Sequence, residues 1–241
     1  MPDKRRHRGP HPLDAKLFAL DQVDALRGAV GDFSWLLERG YAAKSALQLV
    51  GNRFGLHERQ RLAVLRSSCG ETARLSRQSR EVAIADWRGK VMQLDGYNVL
   101  MTVEAALGGG VMLCGRDGCL RDMAALHGNF RRVEETAAAA NLIGEFLHLC
   151  GVARAVWWLD SPVSNSGRLK SLLGQIAAER GWEWEVHLAF DADAALKKLH
   201  DEGIIVSADS VILDNVGAWA NLAGALVEAE VSGAWMVDLS D

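Results

Sequence analysis

The sequence predicts an α/β protein: a mainly parallel sheet with helices on both faces, preceded by a small all-α region. Three observations predict it. From Leu13 to about Ala85 the apolar residues recur at helical spacing. Beyond Lys90, short apolar runs alternate with helical segments. An aspartate follows each of those runs. With 241 residues the chain is long enough for a small and a medium domain. The expected division is a basic, proline-containing flexible arm over 1–12, a helical domain over 13–88 and an α/β domain over 89–241.

In the helical part, LFALDQVDALRGAV carries apolar residues on one face, and DFSWLLERG closes at Gly40, a suitable helix end. AAKSALQLVGNRFGL and HERQRLAVLRSSC read as two short helices joined by a turn around Gly51–Gly55. That pattern is like a helix-turn-helix, with Asn52, Arg53, Arg59, Arg61 and Arg66 as candidates for phosphate contacts. Small helical bundles share it, so the plainer reading is a solvated arginine face. ARLSRQSRE then leads to Trp87-Arg88-Gly89, the expected joint between domains.

The α/β part contains six apolar runs: VMQL, VMLC, VWWL, EVHLAF, IIVSA and AWMV. Helical segments such as NVLMTVEAAL, EETAAAANLIGEFLHLC and SGRLKSLLGQIAAERG lie between them. Strands buried on both faces read as continuous apolar runs, which is why the sheet is expected to be parallel and covered. Trp157 and Trp158 lie within a strand as core, and Trp182 and Trp184 alternate as half-buried positions.

Charge is divided along the chain. Residues 1–90 hold 17 Lys and Arg against 10 Asp and Glu, a balance of +7; residues 91–241 hold 10 against 21, a balance of −11. A basic front suits a phosphate backbone and an acidic back suits cations, unless the segregation is no more than solvated surface. No apolar stretch approaches the roughly 20 residues of a membrane helix, and no apolar core follows the basic first residues. The expectation is a cytoplasmic protein with no membrane partner. Cys69, Cys114, Cys119 and Cys150 form no C-x-x-C pair and are expected as reduced thiols.

The aspartates after the runs are Asp95, Asp117, Asp160, Asp191, Asp209 and Asp238. Strand ends of a parallel sheet line up along one edge, so these side chains can converge from distant parts of the chain. Converging carboxylates repel unless a proton or cation lies between them. An all-oxygen set without His or Cys suits Mg²⁺ or Mn²⁺. Taken singly, each aspartate is also a good helix cap. Asp95 and Asp160 follow fully apolar runs, and Asp209 is followed by Asp214; Asp191 reads as the cap of ADAALKKL, and Asp238 stands near the end of the sequence.

Polar neighbours extend this candidate site. Asn98 faces the same turn as Asp95, whereas the helical phase of Glu104 is approximate. Arg116, Asp117, Arg121 and Asp122 cluster in RDGCLRDMAALHG, where arginines can hold a phosphate. After Asp160, the turn SPVSNSGR offers Ser164, Asn165, Ser166 and Gly167 to an anion at a helix start. His127 and His187 are isolated and read as structural.

The order Asp95-Gly-Tyr-Asn98, a mid-chain strand ending at Asp160, and IVSADSVILDN with Asp209 and Asp214 resembles the PIN-like superfamily of metal-dependent nucleases, the opening being closest to its NYN branch. The segments HPLDAKLF, DFSWLLERGY, SALQLVGNRF and HERQRLAVLRSSC are similar to a prokaryotic family of unknown function that places a short helical domain before a PIN-like one. The resemblance implies an acidic rim that binds Mg²⁺ or Mn²⁺ and cuts RNA by metal-activated water. It implies Asp95, Asp160 and Asp209 as the metal-binding set, Asn98 as the polar residue of the opening turn, and Asp117, Asp122 or Asp214 for the remaining acidic position. SPVSNSG departs from the second-acid turn of active NYN nucleases.

The expected function is therefore a metal-dependent nuclease acting on nucleic acid, RNA first, with a homodimer left open. The alternative is a non-catalytic RNA-binding or regulatory module. A haloacid-dehalogenase-type phosphatase ranks last, because D-G-Y-N lacks the second aspartate that such an enzyme uses as acid.

Overall fold

A computed structural model describes residues 7–123, 130, 132–199 and 202–240. Five α-helices come first: α1 (Asp14–Leu17), α2 (Leu20–Glu38), α3 (Ala43–Arg53), α4 (Glu58–Ser67) and α5 (Glu71–Gln78). Gly40 takes a left-handed φ of 76° just after α2, a conformation that glycine adopts without a Cβ clash. His57 caps α4 in a reciprocal capping box with Gln60. A single-turn 3-10 helix, Ile84–Asp86, precedes the α/β part.

That part runs β1 (Val91–Asp95), α6 (Gly96–Leu107), β2 (Val111–Cys114), β3 (Leu120–Asp122), α7 (Thr136–Leu149), β4 (Arg154–Asp160), α8 (Ser166–Arg180), β5 (Trp184–Ala189), α9 (Ala192–Leu196), β6 (Ile204–Val206), α10 (Ser210–Leu213), β7 (Trp219–Ala220), α11 (Leu222–Glu230) and β8 (Trp235–Asp238). Every apolar run of the sequence forms a strand. They make two sheets rather than one. A five-stranded, wholly parallel sheet has the order β5-β4-β1-β6-β7. A smaller sheet, β3-β2-β8, pairs β2 parallel to β8 and antiparallel to β3.

Helix α6 touches strands of both sheets and is buried on nearly every face, from Tyr97 to Ala106. The sequence NVLMTVEAAL is apolar all round, as a helix enclosed by protein requires. Its one acid, Glu104, has no solvent exposure and accepts bonds from Arg8 Nε (2.7 Å) and Thr136 Oγ (2.5 Å). The stretch from His7 therefore lies against α6 and α7, with His7 2.9 Å from Glu135. Residues 1–6 of the expected flexible arm lie outside the described residues.

The main core joins Leu94, Leu100, Ile143, Trp157 and Leu173 from the large sheet and its helices. A second core is shared: Phe33, Val50 and Val64 of the N-terminal helices pack with Leu113 of β2 and Val237 of β8. The smaller sheet is thus covered by the N-terminal helical region. Among the described residues all four cysteines are free thiols, and no helix is long and apolar enough to cross a membrane.

Candidate functional site

The large sheet reverses its strand order between β1 and β6, where crossovers leave in opposite directions and their turns diverge. Such a switch point opens a crevice at the carboxyl ends of the strands. Four adjacent strands each bring one aspartate there: β1 ends in Asp95, β4 ends in Asp160, Asp209 follows β6, and Asp193 lies in the first turn of α9 after β5.

Asp95 is 8 % exposed. Its Oδ1 accepts from the Asn98 amide at 3.3 Å and its Oδ2 from the Ser207 hydroxyl at 2.8 Å. Burial pushes its carboxyl up to about 7, against the bonds from Ser207 and Asn98 and with help from the charges of Asp193 and Asp209. Asp193 is half-buried and also raised, by burial first and then by Asp209 and Asp160, with Lys197 opposing. These mutual influences define one electrostatic site.

The turn after β6 is bound to the turn after β1 at two points. Ser207 Oγ donates to Asp95 while accepting from the Asp209 amide (3.0 Å), and Asn98 Oδ1 accepts from the Ala208 amide (2.9 Å). Asn98 thus holds the neighbouring turn in place. Gly96 explains how the backbones come so close: a Cβ there would lie 2.6 Å from Leu159 Cδ2 and 2.9 Å from the Trp158 carbonyl oxygen.

Two of the rim aspartates also serve helix starts. Asp209 Oδ1 accepts from the Val211 and Ile212 amides, and Asp160 Oδ1 from the Ala192 amide at 2.8 Å. In each the other oxygen has no partner among the described residues. Asp191 caps α9 through Ala194, as its sequence position predicts.

The remaining candidates lie elsewhere. Asp117 is clamped by Arg77 Nη1 (2.5 Å) and by both Nη atoms of Arg121 (2.7 Å each), which hold it down to about 2 despite its burial. Asp214 is exposed and takes Arg77 Nε at 2.8 Å. Asp122 belongs to the smaller sheet and bonds Thr102 and Arg66. Arg116 turns to Glu71 and the Cys69 carbonyl. Arg121 stays close to the rim, donating from Nε to the Ala208 carbonyl. Ser164 is exposed; Asn165 bonds the Phe130 carbonyl and Ser166 bonds the Ser161 carbonyl.

Among the N-terminal candidates, Arg59 makes a bidentate pair with buried Asp14, Arg61 bonds the Leu56 and Gln48 carbonyls and Asn52, Arg66 bonds Asp122, and Arg53 pairs with Asp32. His187 stacks on Trp158, and His127 lies outside the described residues.

Sequence reasoning missed Asp193, Ser207 and Arg77. Asp193 is masked by Asp191, the better cap two residues before it. Arg77 reads as one of several surface arginines, yet it is 2 % exposed and reaches Asp117, Asp214 and Ser210.

Fold and site together give an α/β protein whose acidic switch-point crevice follows a helical region, and the comparisons agree with that layout. Residues 84–225 match the family described as Domain of unknown function (DUF5616), and the chain belongs to that family. Residues 25–80 match the one described as Protein of unknown function (DUF434). The boundary between the two matches falls just ahead of β1. Uncharacterized protein MJ0935 of Methanocaldococcus jannaschii is 29% identical over 189 residues, covering 78% of this chain and 89% of that protein. No solved structure matches the chain.

Proposed function

We propose that the protein is a metal-dependent nuclease, an endoribonuclease first, working at Asp95, Asp160, Asp193 and Asp209. One observation carries this reading: four neighbouring strands deliver one aspartate each to the switch point, and burial among like charges raises Asp95 to about 7. A site that holds its carboxylates at such a cost favours a cation.

The donor set tests the choice of cation. All donors are oxygens, which suits Mg²⁺ or Mn²⁺. Among the described residues no three acidic, His or Cys side chains are gathered as a ready metal cage. That fits an ion held through one or two carboxylates plus substrate phosphate, as Mg²⁺ commonly is. The unpartnered oxygens of Asp160 and Asp209 would hold it, with Asp95 and Asp193 beside them. When bound, the ion supplies a lowered water pKa and charge stabilisation on the phosphoryl oxygens. Asp95, titrating near neutrality, is suited to exchange a proton with water, while Asn98 and Ser207 fix the turn that bears Asp209.

The lack of a preformed cage also favours a second reading, a non-catalytic module that binds RNA or another partner. The two are separated by Mn²⁺-dependent cleavage of a mixed RNA and single-stranded DNA pool, comparing wild type, Asp95→Asn and Asp209→Asn. Cleavage that falls at least about a hundredfold in both variants is expected, the scale of losing a proton-transfer or charge-stabilising group. Folded wild type that cuts nothing leaves the binding module.

A further inference from the structure

Next to the rim lies a cavity of about 360 Å³ lined by Phe130, Arg132, Thr136, Asn165, Arg168, Leu169 and Leu172. It opens at the start of α8, just beyond the turn that follows Asp160. Arg132 and Arg168 are exposed and, unlike most arginines described above, have no ion-pair or hydrogen-bond partner among the described residues. Among the described residues no carboxylate lines the cavity. Asn165 stands at φ 70° and donates to the Phe130 carbonyl at 3.0 Å, which fixes the turn against the aromatic wall. Helix α8, 15 residues long, has no side-chain cap on its first N–H groups.

Phe130 connects the cavity to the rim. Its ring lies 5.3 Å from that of Tyr97, the residue two after Asp95, and the Asp160 charge helps raise the Tyr97 hydroxyl. Tyr97 is 4% exposed, and its hydroxyl is buried with no hydrogen-bond partner. Tyr97 does not line the cavity, so the link to the rim runs through the Phe130 ring. Two free guanidiniums favour a phosphate, because their planar donors match its oxygens. Phe130 and Leu169, 1 % and 3 % exposed, form a buried floor beneath partly exposed Leu172, and this small apolar edge beside the guanidiniums suits a sugar.

We propose that this cavity is a phosphate-binding subsite for single-stranded RNA, holding one backbone phosphate with its adjoining sugar while the strand continues past Asp160 along the rim. The inference rests on the nuclease reading for the role of the strand, and its recognition chemistry is that of Arg132 and Arg168. It gives an otherwise acidic face a positive point at which RNA can anchor.

The test is metal-free binding of a fluorescently labelled single-stranded RNA, followed by anisotropy across a salt series. The proteins are wild type, Arg132→Ala, Arg168→Ala, the double variant, and Arg180→Ala as a control on the far end of α8. Both target arginines are exposed, so the variants are expected to keep the wild-type circular dichroism. The double variant should weaken binding about tenfold or more and reduce the salt slope by roughly 1 to 2, as removing two phosphate contacts implies. Arg180→Ala should bind like wild type, and inorganic phosphate should compete with RNA for wild type but not for the double variant. Equal affinity and slope in wild type and double variant would overturn the subsite, as would folded wild type that binds no RNA. RNA that binds through these arginines yet is never cut sinks the nuclease reading and leaves the subsite standing.

Discussion

Asp95 holds its proton to unusually high pH, and this has a measurable effect on folding. Its ordinary value is 3.8 and its folded value about 7. Below pH 3.8 both folded and unfolded chains carry the proton. Between there and about pH 7 the unfolded chain releases it while the folded chain keeps it. Stability therefore falls as pH rises through this window, by up to about 1.4 kcal/mol per pH unit from this residue alone. Asp95→Asn should flatten the dependence and leave the variant more stable than wild type at pH 7, read from urea midpoints at several pH values. An unchanged slope would show that Asp95 does not titrate in this way. The strand-end positions of Asp95 and Asp160 were legible because each follows an apolar run directly, and that of Asp209 because it stands in the short turn after IIV with Asp214 beyond it. Asp193 was not, since an acid in a helix's first turn has an ordinary explanation in the helix dipole.

At the scale of elements, α5 of the helical region is joined to the turn after β6 through Arg77. Its guanidinium spans Asp117, Asp214 and Ser210, while Arg121 ties the same Asp117 to the Ala208 carbonyl. Leaving a buried charge without a partner costs about 3–5 kcal/mol, but here Asp117 keeps Arg121 and Asp214 is exposed. Arg77→Leu should therefore lower stability by less than that and speed hydrogen exchange at the amides from Ala208 to Ile212. Normal exchange there would mean that Arg77 only anchors α5. This link was invisible in the sequence, where Arg77 and Asp117 are separated by forty residues and by a change of periodicity. The strands β3 and β7 were invisible for another reason. With three and two residues they are too short for a period, and the charged pair Arg121-Asp122 in β3 is acceptable only because Asp117, Ala208, Arg66 and Thr102 receive it.

Over the whole molecule, the expected single sheet became two because β2 and β8 have a separate cover. Leu113 and Val237 pack with Phe33, Val50 and Val64. An apolar run announces burial but not the partner that buries it, so the sequence could not divide six strands between two sheets. Deleting residues 1–80 should therefore expose the smaller sheet: the truncated protein is expected to aggregate on size exclusion or to lose the dispersed methyl signals of a packed core. A monomeric, well-dispersed fragment would show that the α/β part folds alone.

The bond between Arg8 and Glu104, with His7 against Glu135, has a consequence for the order of assembly. These partners are 96 and 128 residues apart. A segment that emerges early in synthesis must wait until α6 and α7 have been made before it finds its place, and such long closures form late. During that interval Glu104 has no cation beside it in the forming core. Docking of the arm is then the step that neutralises the centre of the molecule, a latch that closes after the walls are up.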